Sequence, residues 1–136
     1  MEVTDAPRRF HGTYSAEPAQ VGCARRALTR ALAGHPSAAD AALIASELAA
    51  NAVLHSASGR GGKFTLRAEI HVSYVRVEVE DAGGPWHQPR HGDNRPHGFD
   101  VIEAFAGRDN WGINDGVAGR VVWARIITGE APAGSN

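Results

Sequence analysis

From Lys63 to Ile70 polar and apolar residues alternate, with Phe64, Leu66, Ala68 and Ile70 set against Lys63, Thr65, Arg67 and Glu69. After a short turn at His71–Ser73 the alternation resumes, with Val75, Val77 and Val79 against Arg76, Glu78 and Glu80. A period of two sends each set to one side of an extended chain, so the two segments predict a hairpin with one apolar face. Upstream the period lengthens. Val21, Ala24, Leu28 and Leu32 recur at helical spacing and predict a helix over Ser15–Ala33. In it Ser15 is the cap, Pro18 sits in the donor-free first turn, and Gly34 and Pro36 end the run. Ser37–His55 is predicted as a second, alanine-rich helix, capped by Ser37 with Asp40 completing a capping-box-like pair. Phe10–Tyr14 reads as a short edge strand, and His97–Gly107 as a short helix carrying Val101, Ile102, Ala104 and Phe105. Asn110–Ile113 reads as a strand, Asn114–Gly119 as a turn and Arg120–Ile127 as a final strand.

Three stretches carry neither period. Residues 1–9 are polar and contain Pro7, and residues 129–136 (GEAPAGSN) form a polar tail; both are expected to be flexible, leaving one domain over residues 10–128. Ala82–Pro96 is rich in Gly, Pro and His, and a structureless stretch of that length inside a small domain is usually functional or disordered. Helices, hairpin, loop, helix and hairpin in this order predict an α+β fold: a two-layer sandwich of a mixed or antiparallel sheet with helices on one face.

Composition narrows the function classes. The 136 residues suffice for one core, and 43% hydrophobic with 21% charged residues is ordinary for a soluble globular chain. The formal net charge of −1, with both signs interleaved, gives no basic field for direct nucleic-acid binding and no polybasic run for a membrane surface. One cysteine, Cys23, excludes an intrachain disulfide and a cysteine zinc cluster, and fits a reducing cytoplasm. Met1–Phe10 has charges but no apolar run of the signal-peptide kind, and no stretch approaches the roughly 20 apolar residues that span a bilayer. A cytoplasmic, soluble domain is the expectation.

Candidate chemistry is concentrated in three places. On the second predicted helix Glu47, Asn51 and His55 fall four residues apart, beside the apolar row Ile44, Leu48 and Ala52 that should face the sheet. A carboxylate and an amide at the margin of a core are costly unless something polar meets them. An amide oxygen suits magnesium, and a Glu one turn away can orient or deprotonate a nucleophile; the plainer alternative is an amphipathic helix with a solvated polar stripe. Asp81-Ala82-Gly83-Gly84-Pro85 directly follows a strand, where a carboxylate can accept from an exocyclic amine and glycine lets backbone approach a flat ring; an ordinary turn has the same composition. Pro96-His97-Gly98-Phe99 opens a helix, whose first N–H groups can meet phosphate.

Taken in order, Glu47-Leu48-x-x-Asn51-Ala52-x-x-His55-Ser56, a strand ending in Asp81-x-Gly83, Gly98-Phe99, and a closing Gly119-Arg120-Val121-Val122-Trp123 strand resemble a known family. It is the histidine-kinase-like ATPase domain of the Bergerat (GHKL) fold, in the branch of anti-sigma-factor serine/threonine kinases and their standalone actinobacterial relatives. The resemblance runs from about Phe10 to Ile127, and Arg25-Arg26 resembles the family's arginine-bearing segment. It implies ATP and Mg2+ as cofactors: Asn51 as the metal ligand bridging the phosphates, Glu47 as the catalytic base, and Asp81 reading the adenine amino group. Gly83 would give the ring room, Ala82–Pro96 would be a lid, and Gly98 and Phe99 would border the phosphates. It further implies partner-switching regulation, in which the kinase phosphorylates a small anti-anti-sigma (STAS-type) protein or sequesters a sigma factor, with a possible homodimer.

The chain departs from the family pattern at three positions. Pro85 stands where a second glycine is common, Pro96 replaces the first glycine of a Gly-x-Gly box, and Val121 stands near an expected threonine. These departures thin the phosphate grip more than the adenine pocket, so the alternative function is a nucleotide- or partner-binding module without phosphoryl transfer. Other polar candidates carry less. His87, His91 and His97 lack a repeated ligand spacing for zinc. Arg25, Arg26 and Arg30 read as a solvated face, Trp111 and Trp123 as packing, Trp86 as a lid residue, and Cys23 as helix packing.

Overall fold

The computed structural model describes residues 7–55, 62–82, 99–115 and 119–128. Its elements are β1 (Arg8–Ser15), α1 (Pro18–Ala31), α2 (Ala38–His55), β2 (Lys63–Ile70), β3 (Tyr74–Asp81), α3 (Phe99–Ala106), β4 (Trp111–Asp115) and β5 (Arg120–Ile127). The strands form one sheet in the order β1-β2-β3-β5-β4, and all four pairings are antiparallel. The α+β sandwich expected from the sequence is therefore present, and of the mixed or antiparallel sheet expected it has the antiparallel form.

Alternation decides the layers. Phe64, Leu66, Val75, Val77 and Val79 point to one side and are almost fully buried. They meet Leu28 and Leu32 of the α1 region, Ile44 and Leu48 of α2, and Ile102 of α3 in one cluster. Each such side chain stabilises the fold by about 1.5–3 kcal/mol on burial. The other face is a charged lattice. Arg67 pairs with both Glu78 (2.8 Å) and Glu80, Arg76 pairs with Glu78, and the Arg76 guanidinium lies 5.1 Å from the Trp123 ring. Trp111 packs at the core margin, its Nε1–H directed at Glu103 (3.4 Å), whereas Trp123 lies on the charged face, outside the core.

Several boundaries differ from the sequence expectation. Ser15 is not a helix cap: it ends β1, paired with Lys63, and its carbonyl accepts from the Glu17 N–H (2.8 Å). The helix starts later, at Pro18, with Glu17 as N-cap and no side-chain capping bond. Strand pairing claimed Ser15 because β1 keeps register with β2 along its whole length. Ser37 does precede α2, and its carbonyl accepts from Ala41 N–H, but its hydroxyl pairs with Thr128 rather than with the helix donors. β4 extends through Asn114 and Asp115, which the sequence reads as turn. No helix among the described residues is long and apolar enough to cross a membrane.

The connection between α1 and α2 is pinned by His35. Its Nδ1 accepts from the Ser37 N–H (3.0 Å), so its Nε2 carries the proton and donates to the His71 carbonyl (2.9 Å). With the Ser37–Thr128 pair (2.6 Å), this fixes the start of α2 at the end of the sheet where β3 begins and β5 finishes.

Candidate functional site

That anchoring determines where the far end of α2 lies. The steps from Ser37 to Asn51 cover about 21 Å of helix, at about 1.5 Å each. The strand from Thr128 back to Arg120 covers about 26 Å, at about 3.3 Å each. Helix and strand start together and run alongside each other, with α2 packed on β3 and β5. Asn51 therefore comes to the end of the sandwich where β3 stops at Asp81 and β5 starts at Arg120.

Four polar or charged residues are buried among those described: Ser37, Asn51, Asp81 and Arg120. Ser37 is accounted for by Thr128 at one end. The other three, exposed by only 3%, 5% and 7%, gather at the opposite end. The arrangement follows from alternation. Asp81 continues the inward row Val75, Val77, Val79, and Arg120 begins the inward row Val122, Ala124, Ile126. The two are direct partners across the β3–β5 ladder. A sandwich whose inward rows end in a carboxylate and a guanidinium has a buried polar end beyond its apolar core.

Asn51 supplies the third group. Its Nδ2 is buried and has no hydrogen-bond partner among the described residues. A buried amide hydrogen left unmet costs about 1–3 kcal/mol, so the position fits a bound acceptor better than a purely structural role. Glu47, one turn earlier on α2, is half-buried and forms no hydrogen bond or ion pair among the described residues. The helix thus offers a carboxylate and an amide in line toward the same end.

The strand ends are drawn together by Gly119. Its φ is +154°, and a Cβ there would lie 2.2 Å from the Asp81 carbonyl oxygen. Only glycine allows that approach.

The structure brings Asn51 and Asp81 to one end of the sandwich, with Glu47 adjacent on the helix. Phe99 opens α3, though its side chain lies outside the description. Gly83, Gly98, Pro85, Pro96, Trp86 and the histidines His87, His91 and His97 lie outside the described residues. Among those described, no group of three or more His, Cys, Asp or Glu side chains gathers as a metal site. The residue that sequence reasoning missed is Arg120. The sequence places the family threonine near Val121 at the start of the last strand, but the register pairs Val121 with Glu80 on the charged face and Arg120 with Asp81. Counting back in twos from Val122 would have found it. Arg25, Arg26 and Arg30 lie on the exposed side of α1, and Cys23 is a free, half-buried thiol 3.6 Å from an Arg26 nitrogen.

Residues 14–116 match the model of a family described as the histidine kinase-like ATPase domain. No curated protein matches the chain. The matched span contains α1, α2, the β2–β3 hairpin and α3, and with them Glu47, Asn51 and Asp81.

Proposed function

The chain belongs to the histidine kinase-like ATPase domain family, and from that premise we propose that it is an anti-sigma-factor-type serine/threonine kinase using Mg2+ and ATP at the Asn51–Asp81 end. The observation that carries the proposal is the burial of Asn51 and Asp81, from separate elements, at one end of an otherwise apolar core. Asp81 accepts a hydrogen bond from the adenine amino group. Asn51 would hold magnesium through its amide oxygen, and its Nδ2–H, without a partner among the described residues, would be open to an acceptor on the bound nucleotide. Magnesium, when bound, neutralises charge on the phosphates. The phosphate-bordering role of Gly98 and Phe99 and the lid role of residues 82–96 rest on the family resemblance alone, since residues 83–98 lie outside the described residues.

Glu47 is the base. It takes the proton of a substrate serine hydroxyl as the serine oxygen bonds to the γ-phosphorus, and the bond to the β-phosphate oxygen breaks to release ADP. Positioning and charge do most of the work in such a transfer, and both are within reach of a helix rail and a strand end. The partners are a small anti-anti-sigma protein of STAS type carrying that serine and a sigma factor held in turn, with a homodimer as the assembly and the cytoplasm as the compartment.

A second reading, a binding module without transfer, is favoured by Pro85 and Pro96 in place of family glycines. Labelled γ-phosphate transfer to a STAS-type partner separates the two. Glu47→Ala should retain ATP binding while transfer falls at least about 100-fold. Equal transfer by the variant removes Glu47 from the mechanism; no transfer by a wild type that binds ATP establishes the second reading.

A further inference from the structure

Arg120 and Asp81 are opposite each other in the β3–β5 ladder and belong to the inward row of each strand. Directly opposed residues on one face of an antiparallel pair have Cβ atoms about 4.5–5.5 Å apart, which is within reach of a carboxylate for the longer arginine side chain. Both are at least nine-tenths buried. A buried charge is tolerated when another charge or hydrogen bonds compensate it, and removing one partner leaves the other exposed to the desolvation penalty. Gly119 tightens the relationship. The backbone that leads into Arg120 lies against the Asp81 carbonyl, where a Cβ would come within 2.2 Å. The strand ends that hold the two side chains are thus closely apposed.

We propose that Arg120 is the positioning residue of the base-reading carboxylate: it holds Asp81 ionised and aimed as an acceptor for the exocyclic amine of a purine nucleotide. The inference rests on the nucleotide reading given above and adds to it the residue that sets base preference. A carboxylate held by a guanidinium is a fixed acceptor; a base with an amino group at the purine 6-position satisfies it, and one with a carbonyl there repels it. Inosine triphosphate, identical apart from that substituent and its ring proton, is the probe for the difference.

The experiment is a double-mutant cycle on the full chain, using a fluorescent ATP analogue with magnesium and competition by ATP and inosine triphosphate. Single variants are Asp81→Asn, Arg120→Met and Arg120→Lys, and the double variant is Asp81→Asn with Arg120→Met. Arg120→Met is expected to weaken ATP about tenfold and to narrow the preference over inosine triphosphate, and Arg120→Lys to restore most of both, as a retained positive charge should. In the Asp81→Asn background Arg120→Met should add no further loss, because its effect acts through Asp81. Effects that multiply in a wild type that binds ATP overturn the link between the two residues. A wild type that binds no nucleotide overturns the base-reading role together with the nucleotide reading. If Arg120→Met does not fold, the uncharged Arg120→Gln takes its place: weakened ATP and a narrowed preference that add nothing in the Asp81→Asn background support the link, while unchanged affinity and preference overturn it.

Discussion

Ser37 Oγ and Thr128 Oγ1 lie 2.6 Å apart, joining the start of α2 to the end of β5 across 91 residues of sequence. This pair, with His35 on the His71 carbonyl, sets the level at which α2 begins over the sheet. The helix then carries Asn51 to the opposite end, beside Asp81 and Arg120. The structural anchor and the buried polar end thus lie at the two ends of one helix.

Ser37→Ala leaves the Thr128 hydroxyl without this partner and should cost about 1 kcal/mol of stability. Because the helix retains its apolar packing, affinity for a fluorescent ATP analogue should stay within about twofold of wild type. Urea unfolding and an analogue titration on the same preparation check both halves.

Asn51→Leu should raise stability while removing magnesium-dependent nucleotide binding. The amide nitrogen is buried without a partner among the described residues, so replacing it with an apolar group of similar size relieves a cost of about 1–3 kcal/mol. Function and stability then move in opposite directions, as expected where a site is held ready for a ligand. A melting temperature that falls on substitution would show that Asn51 has a structural partner.

Gly119→Ala should destabilise the fold by about 2 kcal/mol or more and weaken nucleotide binding as well. The added Cβ meets the Asp81 carbonyl oxygen at 2.2 Å, with backbone on both sides of the clash and no flexible side chain to yield. Thermal unfolding measures the first effect and the analogue titration the second.

Acid sensitivity has one local contributor that can be tested by substitution. The hydrogen bond from His71 Nε2 (3.2 Å) holds the Glu69 carboxyl below its usual 4.5, burial opposes this, and Arg9 at 3.6 Å assists. A carboxyl with a lowered folded pKa adds stability above its unfolded pKa, and that stability is lost as pH falls through the folded value. The Glu69 side chain is 41% exposed, so solvent screening keeps the contribution small. Between pH 6 and pH 3 the urea midpoint of wild type should fall further than that of Glu69→Gln; parallel falls would assign the acid loss elsewhere.

The hairpin was legible because Phe64 to Ile70 and Val75 to Val79 alternate without interruption, and a half-buried strand leaves no other pattern. α2 was legible for the complementary reason: Ile44, Leu48 and Ala52 recur at helical spacing and are all buried. Ser15 was misread since a serine before Pro18 has cap chemistry, while the pairing with Lys63 that retains it in β1 is a long-range fact. Arg120 was passed over for a similar reason. A charged residue at a strand start reads as solvated until the register shows it facing Asp81. Glu47, Asn51 and Asp81 could be chosen from motif chemistry, but their common end of the sandwich depends on where α2 is anchored, and Ser37–Thr128 is not visible in the sequence.

The most direct test is titration of the 136-residue chain with a fluorescent ATP analogue and magnesium, comparing wild type with Asp81→Asn. The account predicts saturable, ATP-displaceable binding to wild type and about 10- to 100-fold weaker binding to the variant, the loss expected for a hydrogen bond to a charged acceptor. Wild type that does not bind, or a variant that binds equally well, would contradict it.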